Sequence, residues 1–154
     1  MAQQPFVPSG FVVPRALATE HFRLEPLGPQ HNASDYDAWS SSVEHIHATP
    51  GWETNSWPDG RSPEDNLRDL ERHADDFENR AGFTYTVLDP ASDDVLGCVY
   101  IYPDKSGEHD ARVLSWVRAS RPELDVRLWR AVTDWLADVW PFERVAYAER
   151  PGGA

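Results

Sequence analysis

The sequence of 154 residues is poor in cysteine, in long apolar segments and in the glycine motifs of common enzymes. Its single cysteine, Cys98, excludes a disulfide framework within the chain and any metal site made only of cysteines. No apolar run approaches the roughly 18 residues that a membrane-spanning helix needs. The glycine patterns of Walker-type and dinucleotide-binding loops are missing, and so is the Gly-x-Ser-x-Gly turn of one class of hydrolases.

Positive charge is scarce as well. The chain has 14 basic and 26 acidic residues, and its formal net charge is -12. Because a phosphate backbone needs a basic face, this balance argues against a general DNA- or RNA-binding protein. The segment before Arg15 has neither the basic start nor the long apolar stretch of a secretory signal. We therefore expect a cytoplasmic protein with no nucleic-acid partner and no membrane association.

The acidity is distributed unevenly along the chain. Residues 59–110 contain 5 basic and 14 acidic side chains, whereas residues 112–130 contain five arginines and only two acids. An anionic ligand is therefore expected in the second segment, where the local charge opposes the global charge.

The amounts of apolar and aromatic residues are sufficient for a folded core. Hydrophobic residues make up 40% of the chain and aromatic residues 12%, which is typical of a globular domain of this length. Prolines and a glycine near the start predict an extended N-terminal arm over residues 1–20. We expect a single domain over residues 21–150 and a short tail over residues 151–154.

Hydrophobic periodicity predicts the order strand, helix, helix, three strands, helix, strand. The strand from Val95 to Tyr102 has almost no polar residue and is expected at the centre of the sheet. Ser120 and Glu123 predict a capping box for the last helix. The final strand–helix–strand unit should form a right-handed parallel crossover. The predicted strands cover 22–27, 83–88, 95–102, 112–118 and 144–148, and the predicted helices cover 33–47, 62–81 and 120–140.

This order of elements resembles the GNAT superfamily of acyl-CoA-dependent N-acetyltransferases. The resemblance runs from about Phe22 to Tyr147 and depends on the strand–loop–helix unit that begins at Val113 and includes Trp129. It implies an α/β (α+β) sandwich, a mixed and mostly antiparallel sheet with helices on both faces. GNAT proteins usually continue past their fifth strand with a helix and two more strands, so the fold is expected to be truncated at the C-terminus.

The resemblance also implies acetyl-CoA as the cofactor. In the family, the fourth strand offers backbone groups to the pantetheine arm, and the next loop wraps the pyrophosphate on a helix N-terminus, where the helix dipole attracts anions. The matching positions here are Trp116, Val117, Arg118 and Arg121. The family loop contains glycines, whereas residues 120–125 contain none. The two arginines would then hold phosphate through their side chains.

Direct acetyl transfer requires a base that deprotonates the acceptor amine. Glu108, His109 and Asp110, just before the fourth strand, are the first candidates, and a solvated turn is the alternative interpretation. Glu44 and His45 on the first helix are a second option. We expect the base to work near neutral pH, as a histidine or a carboxylic acid with a raised pKa.

Two tryptophans lie in a loop rich in proline and glycine. Trp52 and Trp57 are predicted to line the acceptor pocket, or alternatively to fold back onto the core. No metal site is expected, because the side chains of His45 and His47 would point to different faces of a helix. Cys98, inside an apolar strand, is expected to be a small core residue.

Two functions are consistent with these residues. The first is an N-acetyltransferase that moves an acetyl group from acetyl-CoA to the amine of a small molecule or peptide. The second is a catalytically inactive GNAT-like domain for binding or dimerisation. An open sheet edge at the final strand favours a homodimer in the second case.

Overall fold

The structure is a computed structural model that describes residues 5–150. The first four residues of the predicted arm and the predicted tail at 151–154 lie outside the described residues. Within the described range, the strands are β1 (Leu17–Ala18), β2 (Arg23–Pro26), β3 (Phe83–Leu88), β4 (Val95–Tyr102), β5 (Ala111–Val117) and β6 (Val145–Tyr147). The helices are α1 (Asn32–Ser40), α2 (Val43–His47), α3 (Pro63–Glu78) and α4 (Leu124–Val139), and a 3-10 turn covers Pro29–His31.

The six described strands form one mixed sheet in the order β1 to β6. Neighbouring strands are antiparallel except for β5 and β6, which are parallel and are joined through α4. The apolar strand β4 lies between β3 and β5, as its composition predicts. The parallel pairing of the last two strands and the α/β sandwich are both confirmed.

One face of the sheet is covered by α4 and the N-terminal arm. Leu128, Val132 and Leu136 of α4 are buried against this face. Beside them, the Phe6 ring stacks on the ring of Phe83 with 5.8 Å between centroids. The arm is further held by the Tyr85 hydroxyl, which donates a hydrogen bond of 2.7 Å to the carbonyl of residue 14. The described part of the predicted extended arm, from residue 5 onward, thus packs into the core.

The other face packs against α1, α2 and α3. Trp39, Ile46 and Leu70 from these helices are buried together with Cys98 and Trp116 from the sheet. Complete burial raises the pKa of the Cys98 thiol well above its ordinary value. Cys98 is therefore the core residue that the sequence predicts.

The sequence-based prediction of one helix over residues 33–47 is wrong, because α1 ends at Ser40 and α2 begins at Val43. The hydroxyls of Ser41 and Ser42 donate to the carbonyls of Asp37 and Ala38, at 2.8 Å and 2.7 Å. Such side-chain hydrogen bonds compete with the backbone pattern of a continuous helix.

The predicted capping box at the start of the last helix is also wrong. The helix α4 begins only at Leu124, and no side chain caps its N-terminus. The carboxylate of Glu123 accepts a hydrogen bond of 2.8 Å from Nε of Arg121. It therefore does not reach back to Ser120, and the segment before α4 is a loop.

Candidate functional site

A pocket of about 1120 Å³ opens on the sheet face that carries α1 and α3. Its floor includes Tyr100 and Tyr102 of β4 beside Leu114 and Arg112 of β5, their respective partners across the antiparallel pair. Alternate residues of a strand share one face, so these four side chains lie side by side. The helix α3 and the loop over residues 51–57 form the walls.

The two tryptophans of that loop both line the pocket. The ring of Trp52 lies 5.5 Å from the ring of Trp57 and 5.6 Å from the ring of Tyr100, measured between centroids. Trp52 is also a core residue with 3% exposure. The loop therefore serves the core and the pocket together, and a role in binding an acceptor stays a prediction.

Asp35 of α1 is the buried carboxylate of the pocket. Its exposed fraction is 3%, and its Oδ2 accepts a hydrogen bond of 3.0 Å from the Asn66 amide. Burial raises the pKa of Asp35 to about 6, with Asn66 opposing that rise. Within residues 5–150, no basic side chain lies at ion-pair distance from this carboxylate, although the more distant His31 attracts it and opposes the rise in its pKa. The pocket thus contains a buried acid without a counter-ion.

A hydrogen-bonded chain from Asp76 to His73 lines the same pocket. The Tyr102 hydroxyl donates to Asp76 Oδ2 at 2.8 Å, and its oxygen lies 3.0 Å from Nδ1 of His73. Thr84 also approaches that nitrogen, at 3.0 Å. Because the tyrosine proton is committed to Asp76, the arrangement favours a proton on Nδ1 of His73. Its Nε2 is then an acceptor without a hydrogen-bond partner in the described part of the chain.

We predict that the His73 ring stays neutral throughout the physiological range. Burial and, to a lesser extent, the nearby Arg72 lower its pKa from 6.5 to about 4. A ¹³C–¹H NMR titration of the ring, assigned with the His73→Gln variant, measures this directly. A midpoint near 6.5 would contradict the buried position that the structure gives to His73.

The three predicted bases occupy different positions. Glu108 and His109 line the mouth of the pocket, and His109 Nδ1 lies 3.2 Å from Asp104 Oδ2. Asp110 accepts hydrogen bonds from the backbone N–H groups of residues 143 and 144, at 2.9 Å and 3.0 Å. These bonds lower the pKa of Asp110. Asp110 thus holds the segment that leads into β6, and it does not line the pocket.

A gap opens where β5 and β6 diverge. Ala111, Arg112 and Val113 pair with β6, whereas β5 continues to Val117 beyond that pairing. Arg150 fills the gap beside Ser115, and its side chain is 1% exposed. Its Nη2 donates to the Ser115 carbonyl at 2.9 Å, and its Nε donates to Asp125 Oδ2 at 2.7 Å.

The Ser115 carbonyl has a second donor. The indole N–H of Trp52 reaches it from the pocket side at 2.9 Å. The Ser115 hydroxyl lies 2.5 Å from the Tyr147 hydroxyl of β6. The backbone and side chain of Ser115 are therefore both engaged within the protein.

The polar groups of the loop between β5 and α4 also have hydrogen-bond partners within the protein. The N–H of Ala119 donates to the Ser42 hydroxyl at 2.8 Å, and the N–H of Leu124 donates to the carbonyl of residue 121 at 3.1 Å. The guanidinium of Arg118 contacts Ser120 at 2.9 Å and also the Val95 carbonyl and Asp37. The Arg121 side chain is paired with Glu123.

The chain resembles known proteins in its structure rather than in its sequence. No protein-family model and no curated protein matches the sequence. The ribosomal-protein-S5-alanine acetyltransferase from Vibrio fischeri matches with a TM-score of 0.63 and 16% identity, over 84% of this chain and 71% of that chain. The RimL ribosomal L7/L12 alpha-N-protein acetyltransferase matches with a TM-score of 0.62 and 12% identity, over 85% of this chain and 69% of that chain. The chain has the GNAT fold.

A third GNAT structure is the microcin C7 self-immunity acetyltransferase MccE in complex with acetyl-CoA and AMP. It matches with a TM-score of 0.54 and 11% identity, over 79% of this chain and 66% of that chain. At sequence identities this low, the matches show that these proteins and this chain share a fold. Among the described residues of this chain, no helix is long and apolar enough to span a membrane. No cluster of three or more histidine, cysteine or acidic side chains in residues 5–150 is arranged to hold a metal ion.

The residues at the GNAT cofactor position do not fit acetyl-CoA. The gap beside β5, where the resemblance places pantetheine, is filled by Arg150. Trp116 and Val117, which we predicted to offer binding groups, are completely buried. Arg118 and Arg121, predicted as phosphate ligands, are engaged by groups of the protein itself.

From the sequence we did not select Asp35 and His73 of the pocket, or Arg150 of the gap between β5 and β6, as candidate site residues. Asp35 lies four residues before Trp39, and His73 lies three after Leu70, so both are polar residues at apolar positions of a helix. That signal could have identified them. Arg150 has no comparable sequence signal, because its neighbours come from distant parts of the chain.

Proposed function

We propose that this chain binds an amine-bearing small molecule or peptide in the pocket, with Asp35 as the anion that receives the ammonium group. The observation that carries this proposal is the burial of Asp35 without a counter-ion. Burying an unpaired charge is costly, and a ligand ammonium would offset that cost. The ligand would thus supply the cation that the pocket lacks.

The other lining residues support a cationic ligand with an apolar body. Five acidic and three basic side chains line the pocket, and this excess of acid attracts cations. One of the basic residues, Arg72, is already paired with Asp69 at 3.4 Å. The rings of Trp52, Trp57 and Tyr100 provide aromatic surface for the rest of the ligand.

Acetyl transfer to the bound amine is the second candidate function. It is favoured by the likeness of the fold to acetyltransferases. The poor fit at the cofactor position favours binding without transfer. Release of free CoA from acetyl-CoA, followed with a thiol reagent in the presence of each amine, distinguishes the two. We expect no release above the background without protein. The homodimer and the cytoplasmic location stay predictions.

The binding test uses benzylamine, spermidine and a tripeptide with a free amino terminus, with benzyl alcohol as the neutral counterpart of benzylamine. We expect chemical-shift changes in the ¹⁵N NMR signals of pocket residues, such as the Trp52 indole. Replacing Asp35 with asparagine should raise the Kd of the amines at least about tenfold, because hydrogen bonds to charged groups are the stronger ones. Affinity should also fall as the pH decreases through about 6, where Asp35 becomes protonated.

The matched control is Asp37→Asn. Asp37 lies two residues away on the same helix, and its side chain is 73% exposed. This control should leave the Kd of benzylamine unchanged, and Asp35→Asn should leave that of benzyl alcohol unchanged. Absence of pocket shifts with all three amines at 20 mM, about twenty times a Kd of 1 mM, would reject the proposal.

A further inference from the structure

We propose that Arg150 is a built-in occupant of the gap between β5 and β6, that Arg150 and Trp52 together saturate the β5 edge, and that these contacts keep acetyl-CoA from binding there. This inference concerns a different site from the amine pocket and stands apart from the proposed function. It is based on the contacts of these two side chains, on the backbone of β5 and on the charge at the start of α4.

The guanidinium of Arg150 is fully satisfied inside the protein. Besides its bonds to Ser115 and Asp125, its Nη1 donates to the carbonyls of Pro50 and Ala148, at 3.1 Å and 2.8 Å. Nη2 also lies 3.2 Å from the Ser115 hydroxyl. An arginine has five N–H donors in a planar fork, and acceptors surround this fork on all sides. Such a group is costly to displace, because Asp125 would lose its buried partner.

The β5 edge is saturated at the point where the gap begins. A carbonyl oxygen has two lone pairs, and the Ser115 carbonyl accepts from both Arg150 and Trp52. An amide of a pantetheine arm that used this carbonyl would have to displace one of the two donors.

The start of α4 is unsuited to a pyrophosphate. Pro122 has no N–H, and the N–H groups of Ala119 and Leu124 already have acceptors in the protein. The carboxylate of Asp125 lies in the first turn of the helix. That carboxylate occupies the region where the helix dipole would attract an anion, and Arg150 already supplies its counter-charge.

Trp52 links the closed gap to the amine pocket. Its ring lines the pocket, while its N–H is held by the Ser115 carbonyl. The contacts that close the gap therefore also fix one aromatic wall of the pocket.

Thermal unfolding of the wild-type protein with acetyl-CoA and with CoA tests the exclusion. A ligand present at 100 times its Kd would raise the Tm by roughly 10 °C. We expect no measurable shift at 2 mM of either compound. A rise of several degrees, together with shifts in the NMR signals of β5, would overturn the inference.

The position of Arg150 is tested by NMR in the same protein. A buried guanidinium in an ion pair should give an Nε–H signal that exchanges slowly with water. We expect that signal in the wild-type spectrum, its loss in Arg150→Lys, and its retention in Arg121→Lys, whose ion pair is exposed. A wild-type spectrum without a protected Nε–H signal would contradict the closed gap, even if the Arg150→Lys variant failed to fold.

Discussion

Replacing Arg150 with alanine is expected to lower the free energy of unfolding by about 3–5 kcal/mol, the range for breaking a buried ion pair from one side. The substitution leaves the Asp125 carboxylate, whose side chain is 17% exposed, without the guanidinium that it contacts at 2.7 Å. It also leaves the carbonyls of Pro50 and Ala148 without a donor. Urea unfolding followed by tryptophan fluorescence measures the change.

The matched control for this prediction is Arg121→Ala. Its partner Glu123 lies only two residues away, and the two side chains are 41% and 54% exposed. Exposed ion pairs of this kind contribute about 0–1 kcal/mol. Equal losses in the two variants would mean that Arg150 is a surface residue and that the gap is open.

The double variant Arg150→Ala with Asp125→Ala separates charge from packing. If the penalty comes mainly from the unpaired carboxylate, then the double variant should be more stable than the sum of the single effects predicts. Additive losses would instead show that the two side chains act independently.

The strands and long helices were predictable because their apolar patterns are dictated by burial. β4 reads as an almost unbroken apolar run, and it lies between two neighbours with one face on each part of the core. The boundary at Ser41 was not predictable from periodicity, since it depends on hydroxyls that compete with backbone hydrogen bonds. The apolar pattern of the sequence thus fails to predict the fold where polar side chains form hydrogen bonds with the nearby backbone.

The candidate site was predictable only in part, for a different physical reason. Trp52 and Trp57 attract notice as large aromatic residues in a loop, and both line the pocket. Arg150 contacts carbonyls 35 and 100 residues away in the chain. Backbone acceptors carry no signature of their own in a sequence, so only the folded chain shows that this arginine occupies the gap.

Asp35→Asn is expected to stabilise the protein at pH 8 by about 2–4 kcal/mol, at ~1.36 kcal/mol per pKa unit. The pKa of this carboxyl rises from 3.8 to about 6 on folding, so the folded protein binds a proton more tightly than the unfolded chain. Stability is therefore lost as the pH rises from about 4 to about 6, and it stays lost above that range. The asparagine amide keeps the hydrogen bond with Asn66 without the buried charge.

Urea unfolding at pH 4, 6 and 8 measures this effect. Two neighbouring groups act on the pKa of Asp35: His31 opposes its rise and Asp69 adds to it. Both remain in the variant, and Asp37→Asn at an exposed position is the control, with an expected change within about 0.5 kcal/mol. Unchanged stability of Asp35→Asn at pH 8 would mean that the carboxylate has a counter-ion. A gain in stability combined with loss of amine binding would show that Asp35 is kept charged and buried for its ligand, because no contribution to the fold explains its presence.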